Sequence, residues 1–305
     1  MGLLSFTRSE RMKDYLIKAI DEVGKVRIYV ARSTALVEKA RLTHNTSPTA
    51  TAALGRTLTA GVIMGAMMKN DTDVLTLKIS GDGPAGNIYV VARNNGVVKG
   101  YIDNPAADLP SKENGKLDVG SLVGTNGSIR TIMDLGLKEP YVGQSKLITG
   151  EIAEDLANYY AYSEQQPSAV SLGVLVDKDI SVKAAGGYII QLLPGVSDED
   201  INKIEKILAN IDPVSTMIDN GMTPEEIMEH SLGDLNMQIL EKSDIEFKCD
   251  CTRERIERVI ISLGKKEIDD IIKEDGQAEI VCHFCNTKHL FNEEELTKLI
   301  IDNFI

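Results

Sequence analysis

Four cysteines carry the most specific chemistry in this 305-residue chain: Cys249, Cys251, Cys282 and Cys285. They stand as C-D-C and C-H-F-C, separated by 30 residues, and no cysteine precedes them. A secreted disulfide scaffold would not leave nearly 250 residues free of cysteine. Two close pairs instead favour a four-thiolate metal site. Zinc is the expected ion, one per chain, because it accepts tetrahedral sulfur ligands and has no redox chemistry of its own. A structural zinc ribbon that only staples a small domain satisfies the same spacing. The first pair departs from the usual two CxxC knuckles, since only Asp250 separates its sulfurs, and such close thiols can join each other once a metal leaves. His283 and His289 are the only histidines nearby. Either could replace a sulfur, or both could support the site from outside it.

Other chemistry finds no constellation. Residues 81–86, GDGPAG, match G-x-G-x-x-G, and Asp103 stands roughly where a ribose ligand would. That fingerprint requires its last glycine to open a helix, whereas Pro84 and NIYVVAR lead into a strand. The glycines therefore read as a tight β-connection. No G-x-x-x-x-G-K-[ST] loop and no G-x-S-x-G elbow occur. A thiol–disulfide oxidoreductase using C-x-x-C would need a thioredoxin-like βαβ context, which the pattern lacks. The reading is a protein that is not an enzyme, with no nucleotide among its partners.

The elements that must position the cysteines follow from periodicity and punctuation. VRIYVA at 26–31 reads as a strand, Ser33 as the cap of a helix to about Thr43, and Ser47-Pro48 as the start of a helix to about Lys69. Gly61, Gly65, Met64, Met67 and Met68 on the second helix suit either a client-binding stripe or an ordinary core helix with small residues for close packing. From Val74 the period becomes two: VLTLKIS, NIYVVAR and VVKGYI are strands, the last two joined at Asn94-Asn95-Gly96. Hairpin-like segments run from Gly127 to Gly150, a helix from Ile152 to about Tyr162, and strands at 169–176 and 187–193. The fold class is α+β, with a largely antiparallel N-terminal sheet and helices at 1–194, an acidic helical linker at 195–235, and a small C-terminal zinc-binding domain at 236–305.

Charge sharpens that division. The net charge is −13, and Gly195 to Glu246 holds thirteen Asp and Glu against three Lys. Nucleic-acid backbone is not an expected partner, because it needs clustered cations. No apolar run approaches a membrane span, since Arg56 cuts the longest candidate, Ala50 to Met68. The opening, MGLLSFTRSERMKDY, has no basic region followed by a long apolar one. A cytoplasmic protein is expected. Within the linker, Ser197 with Glu199-Asp200 marks a helix start, and Ile201, Ile204, Leu208 and Ile211 recur at helical spacing. One face is oily and the other acidic, so the folded segment should be marginal and lean on its neighbours.

The residues carry a resemblance. CDCTRERIERVIISLG, EIVCHFC and NTKHLFNEEEL look like the zinc-binding end of the redox-regulated heat shock protein 33 family of bacterial chaperones. TSPTATAALGRTLTAG, ISGDGPAGNIYVVARNNGVVKGY, GEIAEDLANYYAYSEQQPSAVSLGV, AAGGYIIQLLPG and MTPEEIMEHSLG also read like that family, so the resemblance spans nearly the whole chain. It implies an ATP-independent holdase that binds unfolding proteins under oxidative stress. Such a holdase is inactive when reduced and zinc-bound, active when oxidised, and a homodimer in its active form. Of the three pairings of four cysteines, it implies Cys249 with Cys251 and Cys282 with Cys285. It also implies a metastable linker that covers apolar surface in the reduced state.

Overall fold

The structure, a computed structural model, describes residues 13–304. They fall into two compact units that divide between Phe247 and Lys248. This division lies beyond the boundary expected at 235/236, because the intervening residues form strands of the first unit.

The first unit is α+β. Strands β1 (Tyr15–Ile20), β2 (Val26–Arg32), β8 (Ser168–Val176), β9 (Val182–Leu192) and β10 (Gln238–Asp244) make one sheet in the order β10-β1-β2-β9-β8, antiparallel throughout. Strands β3 (Val74–Ser80), β4 (Asn87–Arg93), β5 (Val97–Ile102), β6 (Ser128–Asp134), β7 (Tyr141–Lys146) and β11 (Glu246–Phe247) make a second, ordered β11-β5-β4-β3-β6-β7. It is antiparallel except where β11 joins β5. Helix α1 (Thr34–His44) precedes the long α2 (Pro48–Ala66), α3 (Val119–Val123) precedes β6, and α4 (Ala153–Tyr162) follows β7.

Helix α2 is the centre of the main core, flanked by Leu16, Tyr29 and Ala31 of the first sheet and by Leu75, Leu77, Ile88, Val90 and Val98 of the second. Nearly all its residues are buried, which decides between the two readings of its methionines in favour of a core helix. The small residues do what close packing asks of them: a Cβ on Gly61 would lie 2.4 Å from Val90 Cγ1, and one on Gly65 would lie 2.9 Å from the Arg93 carbonyl. The 81–86 loop is the expected β-connection, with the Gly83 and Ala85 amides bonded to the Val123 and Leu122 carbonyls. The Asp103 carboxylate accepts from the Asn87 amide at 2.9 Å, a structural tie.

The cap of α1 differs from expectation. Ser33 is buried and its hydroxyl pairs with that of Thr59 at 2.7 Å. The Asp14 carboxylate instead accepts from the Leu36 amide at 2.7 Å, capping α1 from the start of β1. Burial pushes the Asp14 carboxyl up to about 7, against the pull of the Leu36 amide and the Arg32 guanidinium. A carboxyl whose folded value exceeds its unfolded one holds its proton more tightly when folded. Its contribution to stability is therefore full below about pH 4 and is lost as pH rises to about 7. Asp14→Asn keeps an acceptor for Leu36 and removes that titration. Its unfolding free energy from urea titrations should gain on the parent's between about pH 5 and about pH 8, by on the order of a few kcal/mol; a pH-independent difference would contradict this account.

Candidate metal centre

The second unit contains α8 (Arg253–Leu263), α9 (Lys265–Asp275), the hairpin of β12 (Gln277–Val281) and β13 (Lys288–Asn292), and α10 (Glu293–Phe304). Its buried core is small: Ile256, Ile260, Ile268, Phe291, Leu296 and Ile300, with Cys251 packed against it. Such a core is too slight to hold a domain without a further tie.

The cysteines enter from two local structures. Cys249 and Cys251 precede α8, whose cap Thr252 accepts from the Arg255 amide, while Asp250 pairs with Arg255 at 2.8 Å. Cys251 thus sits at the positive end of that helix, which favours an anionic sulfur. Cys282 and Cys285 occupy the turn from β12 to β13. There the amides of Cys285 and Asn286 donate to the Cys282 carbonyl, Asn286 takes a φ of 55°, and the Cys282 amide returns to the Thr287 carbonyl.

All four Sγ atoms lie within 4.8 Å of one another. Cys249 and Cys282 are 3.7 Å apart, and Cys251 and Cys285 are 3.3 Å apart. A tetrahedral ion with zinc–sulfur bonds of ~2.3 Å needs edges of ~3.8 Å, so the donor set fits such an ion with little adjustment. Burial pushes the Cys249 thiol up to about 11 and Cys251 higher still, the latter reinforced by hydrogen bonds shared with the other sulfurs. At Cys285 burial acts in the same direction, but bonding to the Thr287 hydroxyl and amide, together with hydrogen bonds from Cys251 and Cys282, outweighs it and brings the thiol down to about 7. Crowded thiols resist ionising together, and a cation among them removes that resistance. The histidines stand apart, for the close group of ligand atoms among the described residues contains sulfur alone. His283 is exposed, and His289 is half-buried on β13 opposite Ile280.

The acidic linker belongs to the first unit. It forms α5 (Asp198–Leu208), α6 (Val214–Asp219) and α7 (Pro224–Leu232). Ile204 is buried, Leu208 and Ile211 pack half-buried against the same cluster, and Ile201 is half-buried. Ile211 lies past the end of α5, where Asp212 before Pro213 disfavours helix. Most of the buried surface comes from residues the sequence reading passed over: Val214, Met217 and Ile218 of α6, with Ile227, Met228 and Leu232 of α7. The signal was present, since Thr223-Pro224 with Glu226 is a capping box with proline at the first helical position. These side chains cover Ile17, Ile28, Val30, Tyr188 and Ile190, the face of the first sheet turned away from α2. Glycines set the approach: Gly173 and Gly186 are cross-strand partners, and a Cβ on Gly186 would lie 2.3 Å from Ile218 Cδ1.

Residues 14–292 match the family model described as Hsp33 protein. The chain is 51% identical over 288 residues to the 33 kDa chaperonin of Alkaliphilus oremlandii, covering 94% of this chain and 96% of that one. It is 51% identical over 286 residues to the 33 kDa chaperonin of Bacillus subtilis, covering 94% and 98%. The crystal structure of the 33 kDa chaperonin of Thermotoga maritima superposes with a TM-score of 0.87 at 39% identity, covering 95% of this chain and 98% of that one.

If the four sulfurs hold an ion that the small core needs, then reduced full-length protein should carry about one tightly bound metal per chain, by elemental analysis. Cys251→Ser should lose it, together with amide protection in α8–α10, while the strands of the first unit stay protected. Metal retained at parental level, or α8–α10 unchanged after its loss, would refute the dependence.

Proposed function

This chain belongs to the Hsp33 family, and on that premise we propose that it is a redox-regulated, ATP-independent holdase that keeps unfolding proteins from aggregating under oxidative stress. A chaperone role follows from the family itself. The observation that carries the redox part is the convergence of four free thiols, drawn from two distant segments, in a unit whose own core is only six buried residues. In this reading the protein is cytoplasmic, is not an enzyme, takes unfolded or partly folded proteins as clients, and acts as a homodimer without nucleotide. No helix among the described residues is long and apolar enough to cross a membrane.

Cys249, Cys251, Cys282 and Cys285 hold the zinc of the reduced form. The ion would tie the residues before α8 to the β12–β13 turn and keep the sulfurs as thiolates. Oxidation by a peroxide removes two electrons from each pair of thiolates and forms one S–S bond, while the O–O bond breaks and its two oxygens leave as waters with two protons taken from solvent. Family likeness favours the pairs Cys249–Cys251 and Cys282–Cys285. In the folded unit Cys249 also contacts Cys282 and Cys251 also contacts Cys285 across the two segments, so local pairing gives up those contacts and loosens the unit. Two local disulfides close tiny loops and restrain little of the chain between them.

Residues 195–246 couple this event to the sheet. Phe247 is buried in the main core, and Cys249 follows two residues later. Loss of order at the cysteines therefore begins next to the last residue of the first unit. Undocking of α5–α7 exposes the apolar strand face they cover, a surface suited to clients that display apolar side chains.

Peroxide-treated protein should suppress light scattering by a heat-denatured client without nucleotide, and reduced protein should do so poorly; equal activity in the two states would remove the switch. Ile204→Asp tests the lid. It forfeits roughly 1.5–3 kcal/mol of apolar burial and places an unpaired carboxylate at a buried position. The reduced, zinc-loaded variant should already hold clients and bind more hydrophobic dye than the parent. Hydrogen exchange showing 195–246 opened while aggregation suppression stays at the reduced parental level would defeat the lid mechanism.

A further inference from the structure

At the C-terminal end of α2 the packing between the two sheets opens. Met64, Met67, Met68 and Met133, four of the ten methionines in the chain, line a cavity of about 440 Å³ together with Tyr29 and Tyr160. Met64 and Met68 show 3% and 9% of their surface, whereas Met67 and Met133 are half-buried. The Tyr160 hydroxyl donates to the Met67 sulfur at 3.4 Å. Arg27, Lys69, Asn70, Asp73, Glu164 and Gln191 complete the polar part of the wall.

A thioether is the one apolar core group with accessible two-electron oxidation chemistry, and its sulfoxide is polar and a strong hydrogen-bond acceptor. In a closed core such an oxygen would be left unsatisfied and costly. Here the cavity has room for a small oxidant, and Tyr160 already directs a donor at the Met67 sulfur. Burial holds the Tyr160 phenol well above its usual range, so that donor keeps its proton.

We propose that this cavity is a second oxidant-responsive site, at which hypochlorous acid converts Met67 to its sulfoxide independently of the four cysteines. The sulfur lone pair attacks chlorine and hydroxide leaves; water then displaces chloride from sulfur and loses both its protons, one of them to that hydroxide, which completes the S–O bond. The net change is thioether plus hypochlorous acid to sulfoxide, chloride and a proton; sulfur loses the two electrons that chlorine gains. Tyr160 holds the new oxygen. A polar group in the wall shared by β2, β6, α2 and α4 then loosens the packing between the sheets. Thiol reductants that reopen disulfides leave a sulfoxide untouched, so this change outlasts re-reduction of the cysteines until a methionine sulfoxide reductase removes it.

The full-length, zinc-loaded protein is titrated with hypochlorous acid, and each methionine is followed by fragment-resolved mass spectrometry. Met67 should gain one oxygen at about tenfold lower oxidant than Met217 and Met228, which are buried at 1% and 5% exposure. The oxidised protein is then treated with dithiothreitol and zinc. Hydrophobic-dye fluorescence should stay about twofold above the untreated level in the parent, and return to that level after methionine sulfoxide reductases or in Met67→Leu, a volume-conserving change. Oxidation of Met67 no earlier than Met217 and Met228 overturns the proposal. So does parental protein that carries Met67 sulfoxide yet returns fully to untreated dye binding after dithiothreitol and zinc.

Discussion

The sheet built on β1, β2 and β9 is apolar on both faces, and the rest of the first unit answers that constraint. Side chains alternate along a strand: on β1 and β2, Leu16, Tyr29 and Ala31 turn to α2, while Tyr15, Ile17, Ile28 and Val30 turn away from it. The first set meets a helix that is buried nearly end to end. The second meets three short helices from a segment of net charge −10 between Gly195 and Glu246. Adjacent glycines on β9 serve both sides, since a Cβ on Gly186 would strike Ile218 of α6 and one on Gly187 would lie 3.3 Å from Thr59 of α2. One strand thus lets two layers approach closely, α2 on one face and α6 on the other.

Marginality in the linker has a visible electrostatic source. Its acids are met by Lys203 at Glu199 and Asp200, Lys183 at Asp219, Lys242 at Glu225, Lys18 at Glu241 and Lys13 at Asp244, pairs that are for the most part well exposed. Exposed pairs of this kind contribute little, typically below about 1 kcal/mol each. Docking therefore rests on apolar contact with the sheet and on the better-shielded tie from the Tyr15 hydroxyl to Glu225 at 2.5 Å. The second unit is marginal for a different reason, its six-residue core. The linker relies on a sheet face, and the small unit brings four sulfurs together beside its core.

What could be read from the sequence depended on contrast. VLTLKIS and NIYVVAR alternate cleanly because the second sheet has one buried face and one partly solvated face. YLIKAI of β1 went unread, for a short strand buried on both sides shows no alternation, and QILEKSD of β10 because it is exposed on nearly every residue. The cysteine cluster was legible from spacing, since only sulfur in close pairs fits that pattern. The crossed proximities within it were not, because they depend on how the Asn286 turn and the α8 cap aim their side chains. Ser33 looked like a cap by type and place; Asp14 took the role through a contact no local window contains.

The lengths of the linker helices determine how it can let go. Helices α5, α6 and α7 have 11, 6 and 9 residues. An isolated helix below about 12 to 15 residues is marginal in water, because nucleation costs more than so few hydrogen bonds return. On α7 the like charges Glu225 and Glu229, four residues apart, lower that stability further. Away from the sheet, none of the three has a reason to persist. Undocking and unfolding of the linker are then one event, with no docked-but-loose or free-but-helical state of comparable stability between them. In the proposed mechanism such a cooperative segment would turn a local loss of order beside Phe247 into exposure of a whole strand face, with the acidic unfolded chain kept solvated by its charge.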